Sequence, residues 1–323
     1  MPQQAPEVER ALVAWSQVEG GSARLINHSE NQTFQIDTAG QVSFTLRLHR
    51  AGYQSQASVE SELAWLMALR RDTALAIPEP VPGRDGRLLQ SFDTPNGKRL
   101  AVLFRYIEGH EPPLDGNLSD LFVTLGIYAA TMHNHVTDWQ RPPGFERPVW
   151  QAATILDSDA PWGDWRLAPG VNEWNRPILD RLGSALWLRL ASYGTSEDRF
   201  GLIHADMRLG NLLVDGGRTT LIDFDDCGFC WFAYDFAAAI SFHETNPVVP
   251  SLRAAWLEGY RSVRPLGAVD LAAIDSMVML RRMALLAWIG SHGETRLAQQ
   301  HMQGFADGTA QLAERYLRGA IWP

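Results

Sequence analysis

Apolar and polar positions change period along this chain, and the changes divide it. Residues 7–18 carry a short helical spacing, after which strand-like runs at 23–26, 33–36 and 42–48 are punctuated by Gly and Asn. Phe44-Thr45-Leu46-Arg47-Leu48 alternates strictly, which predicts a half-buried strand. Asp37-Thr38-Ala39-Gly40 ahead of it has the composition of a hairpin connection. From 55 to 69 the spacing becomes helical, with Val59, Leu63, Leu66 and Met67 on one face and Glu60 and Glu62 in the first turns. Pro78, Pro80 and Pro82 then break the chain, and runs at 87–92 and 100–107 predict a second antiparallel pair.

Glu108-Gly109-His110-Glu111-Pro112-Pro113 interrupts regular structure, and the texture behind it is helical at 118–135, 171–193, 252–263 and over the long stretch 269–317. The expectation is an α+β chain with a β-rich N-terminal lobe over 1–107 and a larger helical lobe over 108–323. With 46% apolar and 20% charged residues in 323, disorder and fibrous repeats are excluded.

A net charge of −9 argues against broad attraction to nucleic acid or to an anionic membrane. No apolar run reaches the ~18 residues of a membrane span, and the start lacks a basic region followed by an apolar one, so a cytoplasmic protein is expected. Lys98 is the only lysine among 28 basic residues and follows the turn Pro95-Asn96-Gly97, which reads as an exposed loop charge. A lysine nucleophile would have to be that residue. Cys227 and Cys230 are too few for a self-contained zinc site; their spacing leaves a redox pair or plain packing.

One stretch in the helical half carries chemistry. Phe200-Gly201-Leu202-Ile203 and Leu212-Leu213-Val214 flank the polar loop His204-Ala205-Asp206-Met207-Arg208-Leu209-Gly210-Asn211, and a second strand, Thr219-Thr220-Leu221-Ile222, ends at Asp223, Asp225 and Asp226. Clustered carboxylates at an apolar strand end call for a cation. Asp206, Asn211 and Asp223 offer hard oxygens suited to Mg2+, which borrows phosphate oxygens and so points to a nucleotide.

The H-x-D-x-x-x-x-N spacing followed by a strand-terminal Asp resembles the catalytic loop and metal-binding Asp of protein-kinase-like enzymes. From about Asn27 to Tyr260 the chain is similar to the aminoglycoside phosphotransferase, choline kinase and homoserine kinase family, which includes bacterial stress-response kinases. Tyr234-Asp235-Phe236-Ala237 resembles that family's next acidic helix start. The resemblance implies a two-lobed protein-kinase-like fold, ATP and Mg2+ as cofactors, and a small-molecule hydroxyl as acceptor.

In the roles so implied, Asp206 orients the acceptor hydroxyl, while Asn211 and Asp223 hold the metal. His204 supports the loop by hydrogen bonding. Arg208 either stabilises the transferring group or pairs with Asp225 or Asp226. Arg47 stands where many relatives carry a nucleotide-binding Lys, with Glu62 as its helix partner; read alone, it is an exposed strand arginine. Ser29, Asn31 and Gln32 lie where the family covers the phosphates, without a glycine-rich motif. Phe104 and Tyr106 belong to the adenine-facing connector, which acts chiefly through backbone groups.

Six tryptophans between 139 and 187, interleaved with carboxylates, suit either an amine-bearing acceptor or helix packing. The function expected is phosphoryl transfer to such an acceptor. A Ser/Thr protein kinase of the stress-response type and a catalytically silent nucleotide-binding regulator are the alternatives.

Overall fold

A computed structural model describes residues 6–28, 31–38, 43–95 and 97–322. The chain forms two compact units, one holding everything up to His110 together with Arg141–Arg147 and Leu213–Asp225, the other the remainder. In chain order the first part runs α1 (Pro6–Leu12), β1 (Ser22–His28), β2 (Gln32–Asp37), β3 (Ser43–Leu48), α2 (Gln56–Asp72), β4 (Leu89–Thr94) and β5 (Gly97–Arg105). The rest runs α3 (Ser119–Asp138), α4 (Ala152–Leu156), α5 (Arg176–Tyr193), β6 (Phe200–Ile203), β7 (Leu212–Asp215), β8 (Arg218–Leu221), β9 (Gly228–Trp231), α6 (Tyr234–Ala239), α7 (Val249–Val263), α8 (Ala268–Ser291), α9 (Arg296–His301) and α10 (Phe305–Arg318).

The first unit is built on an antiparallel sheet ordered β1-β2-β3-β5-β4. Phe34 and Ile36 of β2 and Phe44, Leu46 and Leu48 of β3 point to one face, where they pack with Val8 and Trp15. The period of two that places Leu46 and Leu48 there turns Arg47 to the other face. A half-buried strand would leave that face to solvent, yet Arg47 is buried, because α2 lies against it and carries Glu62.

Ser55 caps α2, its Oγ accepting the Ser58 N–H at 3.0 Å. Val59, Leu63 and Leu66 are buried as the spacing indicates, whereas Met67 is exposed. Ala39, Gly40, Ser29 and the turn residue Asn96 lie outside the described residues. Lys98 sits on β5, opposite Asp93 in register, rather than in a loop.

The second unit is helical around α8, which is buried on almost every side from Ala273 to Ile289. The long helical stretch divides into α8, α9 and α10. Thr295 caps α9 by accepting the Ala298 N–H, and Gly304 at φ 75° starts α10. Helices α3 and α7 cross at two glycines: a Cβ on Gly126 would press on the Trp256 carbonyl and lie 2.7 Å from Tyr260 N, and one on Gly259 would lie 2.7 Å from the Val123 carbonyl carbon. This approach brings His133 of α3 to Tyr260 of α7, 3.0 Å away.

Cys227 and Cys230 are buried and form no disulfide, and burial pushes the Cys230 thiol well up. A protonated, inaccessible thiol is a poor redox group, so packing explains it. Among the described residues, no helix is long and apolar enough to cross a membrane.

Candidate active site

The loop after β6 carries a dense polar network within the second unit. Ala205, the residue before Asp206, sits at φ 66°, a left-handed conformation that a non-glycine residue holds only when its surroundings impose it. The Ala205 N–H donates to Asp235 Oδ1 at 2.8 Å, and Asp235 Oδ2 lies 3.0 Å from His133 Nε2. An ionised carboxylate only accepts, so the proton sits on His133 Nε2, and Nδ1 accepts from the Tyr260 hydroxyl. Burial lowers the His133 pKa, opposed by Asp235, which keeps the ring neutral. The loop is therefore tied through α6 and α3 to α7.

Asp206 itself is held on both oxygens. Oδ1 accepts from Nη2 of Arg281 on α8, and Oδ2 accepts from Asn211 Nδ2 at 2.6 Å and from Arg208 Nε at 3.3 Å. Burial alone would raise its pKa; Arg281 first, then Arg208 and His204, outweigh that and hold the carboxyl below the usual range. His204 is fully buried, and its Nδ1 accepts the Asp206 N–H at 3.2 Å, which is loop support.

Arg208 has Asp206 as an ion-pair partner. Within the first unit Asp225 is held by Asn31 and Arg47.

Asn211 donates from Nδ2 to both the Asp206 carbonyl (2.8 Å) and Asp206 Oδ2. Both amide hydrogens are thereby engaged, which leaves Oδ1 as the group's acceptor.

The first unit gathers the other expected residues. Arg47 Nη2 donates to Glu62 Oε1 and Oε2 at 2.7 and 2.8 Å, and Nη1 lies 3.6 Å from Asp223 and 3.8 Å from Asp225. Burial disfavours the Arg47 charge, but Glu62, Asp225 and Asp223 more than compensate, and its pKa is raised. Asn31 donates to Asp225 Oδ2 at 2.8 Å and accepts the Arg50 N–H. Asp223 has φ 63° and a side chain 44% exposed. Phe104 is buried with the Arg47 guanidinium 5.3 Å from its ring centroid. Tyr106 is partly exposed, and its N–H is already donated to the Ser43 carbonyl. Ser29, the other proposed phosphate cover beside Asn31 and Gln32, is outside the described residues.

Sequence reasoning missed Arg281, Arg147 and His133. The available signal was Arg281-Arg282 in the middle of an apolar helix, where a charge needs a partner. Arg282 has one in Glu244. Trp150, Trp162 and Trp165 are buried, with Trp150 and Trp162 centroids 4.8 Å apart, so these three pack the unit.

Sheet, helices and loop together define a kinase-type phosphotransferase. The chain belongs to the phosphotransferase enzyme family (APH), whose model matches residues 22–269. The structure of a microcompartment-associated aminopropanol kinase is 42% identical, with a TM-score of 0.89 and 97% of each chain covered. A homoserine kinase of Gluconobacter oxydans is 31% identical over 67% of this chain and 66% of its own length. An amicoumacin kinase in complex with AMP-PNP, Ca2+ and Ami shares the fold at 20% identity, with a TM-score of 0.76 over 98% of this chain and 94% of that one.

Proposed function

We propose that this enzyme moves the terminal phosphoryl group of ATP, as its Mg2+ complex, to the hydroxyl of a small amine-bearing alcohol. The observation that carries the reading is Asp206, a half-buried carboxylate on a strained loop, fixed by Arg281, Arg208 and Asn211. The likeness to the aminopropanol kinase supports an amino alcohol as acceptor.

Asp206 accepts a hydrogen bond from the acceptor hydroxyl and sets its direction of attack. Two guanidinium partners make this carboxylate a weak base, so it takes the proton late, as the new phosphorus–oxygen bond forms. Arg208 adds a permanent cation beside the reacting group. Arg47, oriented by Glu62 through Nη2, is left with Nη1 to donate to phosphate oxygens of the nucleotide. Asn31 and the 104–106 segment complete the nucleotide side.

Among the described residues no group of three or more His, Cys, Asp or Glu side chains could hold a metal ion. Asn211 Oδ1 in the second unit and the Asp223 carboxylate in the first are each nonetheless a hard oxygen of the kind Mg2+ accepts beside phosphates and water. Such an ion would neutralise charge on the transferring group.

The test is ATP consumption with a panel of amino alcohols, homoserine and aminoglycosides. Turnover with an amino alcohol that Asp206→Ala lowers by about a thousandfold or more is expected, since positioning and base are lost together. Undiminished turnover in Asp206→Ala would overturn the assignment. Preference for an acceptor without an amine would overturn the substrate class alone.

A further inference from the structure

Residues Arg141–Arg147 belong to the first unit although the chain on either side belongs to the second. Polar ties hold this strap. The Glu146 N–H donates to Ser61 Oγ at 2.8 Å, and the Ser55 hydroxyl donates to Glu146 Oε1 at 2.9 Å. Arg147 is buried, and its Nη1 donates to Ser58 O (3.1 Å), Ser58 Oγ (3.0 Å) and Gln54 Oε1 (3.2 Å). Its Nη2 donates to the Asp225 carbonyl, which also accepts from Gln54 Nε2 at 3.0 Å.

A guanidinium at the first turn of α2 is at the unfavourable end of the helix dipole and out of water. What offsets both costs is the set of oxygens it bridges. One turn beyond Ser58 stands Glu62, which grips Arg47, and Arg47 faces Asp223 and Asp225. Hydrogen bonds and ion pairs close a ring: Arg147 to α2, α2 through Glu62 to Arg47, Arg47 by ion pairs to the Asp223–Asp225 segment, and Asp225 back to Arg147.

We propose that Arg147 is a positioning residue, closing this ring so that Arg47 and Asp223 are held at fixed places for the nucleotide's phosphates. This rests on the reading of the first unit as the nucleotide side. Arg147 touches no reacting atom; it decides where α2 and the Asp223–Asp225 segment stand relative to each other.

The experiment uses the full chain, with kinetics for both substrates, calorimetric binding of Mg2+·ATP, and thermal melting. In Arg147→Met the KM and Kd for Mg2+·ATP should rise about tenfold or more, for the loss of charged hydrogen bonds. The acceptor KM should stay within about twofold. Arg147→Lys should recover part of the loss. Gln54→Ala, on the same carbonyl, should raise the same two constants, and the double variant should lose less than the product of the singles. Ser61→Ala removes a strap tie that does not reach Asp225, and should lower the melting temperature without moving the nucleotide constants.

Unchanged nucleotide constants in both Arg147→Met and Gln54→Ala would overturn the proposal. So would an equal rise in Ser61→Ala, which would mean that the strap's stability alone is at work. A wild-type enzyme that fails to bind Mg2+·ATP would instead overturn the reading on which the proposal rests.

Discussion

Replacing Arg281 by Met tests whether the buried guanidinium on α8 sets the Asp206 carboxylate or merely fills space. Met keeps most of the side-chain volume while removing the bond to Asp206 Oδ1, the Nε donation to Ser241 Oγ at 3.0 Å, and the contact with the Trp162 face at 5.6 Å. A charge pair at about 4 Å in an effective dielectric near 20 is worth roughly 4 kcal/mol. Arg208 and Asn211 still hold Oδ2, so about half of that should be felt, and about 2 kcal/mol in the transition state is about thirtyfold in kcat.

The KM for nucleotide should stay within about twofold, because Arg281 contacts Asp206 and not the residues assigned to ATP. The melting temperature should fall by several degrees, at about 2–4 °C per kcal/mol for a domain of 150–250 residues. Steady-state kinetics and a melting curve on the same preparation separate the two effects. In an Asp206→Asn background, where the charge is gone, the same change should cost far less stability. A normal kcat, or an equal loss of stability when Arg281→Met is combined with Asp206→Asn, would refute the reasoning.

Two further outcomes concern stability. Burial, and then Arg47, depress the pKa of His49 to about 3. Between about 6.5 and 3 the unfolded chain takes up a proton that the folded chain refuses, so stability contributed by neutral His49 is lost as pH falls through that window and is constant above it. At about 1.4 kcal/mol per unit the total is at most about 5 kcal/mol, and His49→Leu should flatten the pH dependence of urea midpoints between about pH 6.5 and 4; an unchanged slope would show that the ring is protonated in the fold. Gly259→Ala forces α7 away from the α3 backbone at Val123, and should destabilise by about 3 kcal/mol or more with little change at Gly183, where a Cβ meets nothing within 4 Å. Similar melting temperatures for Gly259→Ala and Gly183→Ala would mean that the close crossing is not required.

Much of the chemistry is local in the chain and could be read from it. The loop His204–Asn211 places a carboxylate and an amide five residues apart, and in the fold Asn211 bonds Asp206 directly. Strand alternation likewise told which residues of β3 face the sheet's apolar core. It did not tell that the opposite face is covered, because that depends on α2, whose burial is not a property of the strand. The long helical stretch hid two breaks for a similar reason: Thr295 and Gly304 act as caps only once the chain turns there.

The amino-acid sequence by itself determined most of the elements, the polar loop and the family, since these depend on spacings of a few residues and on side-chain chemistry. Tertiary structure decided which charges face one another: Arg281 reaches Asp206 across 75 residues, Asp235 reaches Ala205 across 30, and Arg147 reaches Asp225 across 78. A buried charge must find a partner, but one of 27 arginines can find it anywhere that folding brings within hydrogen-bond reach. Packing alone makes that choice, and here it sets the ionisation and aim of the Asp206 carboxylate.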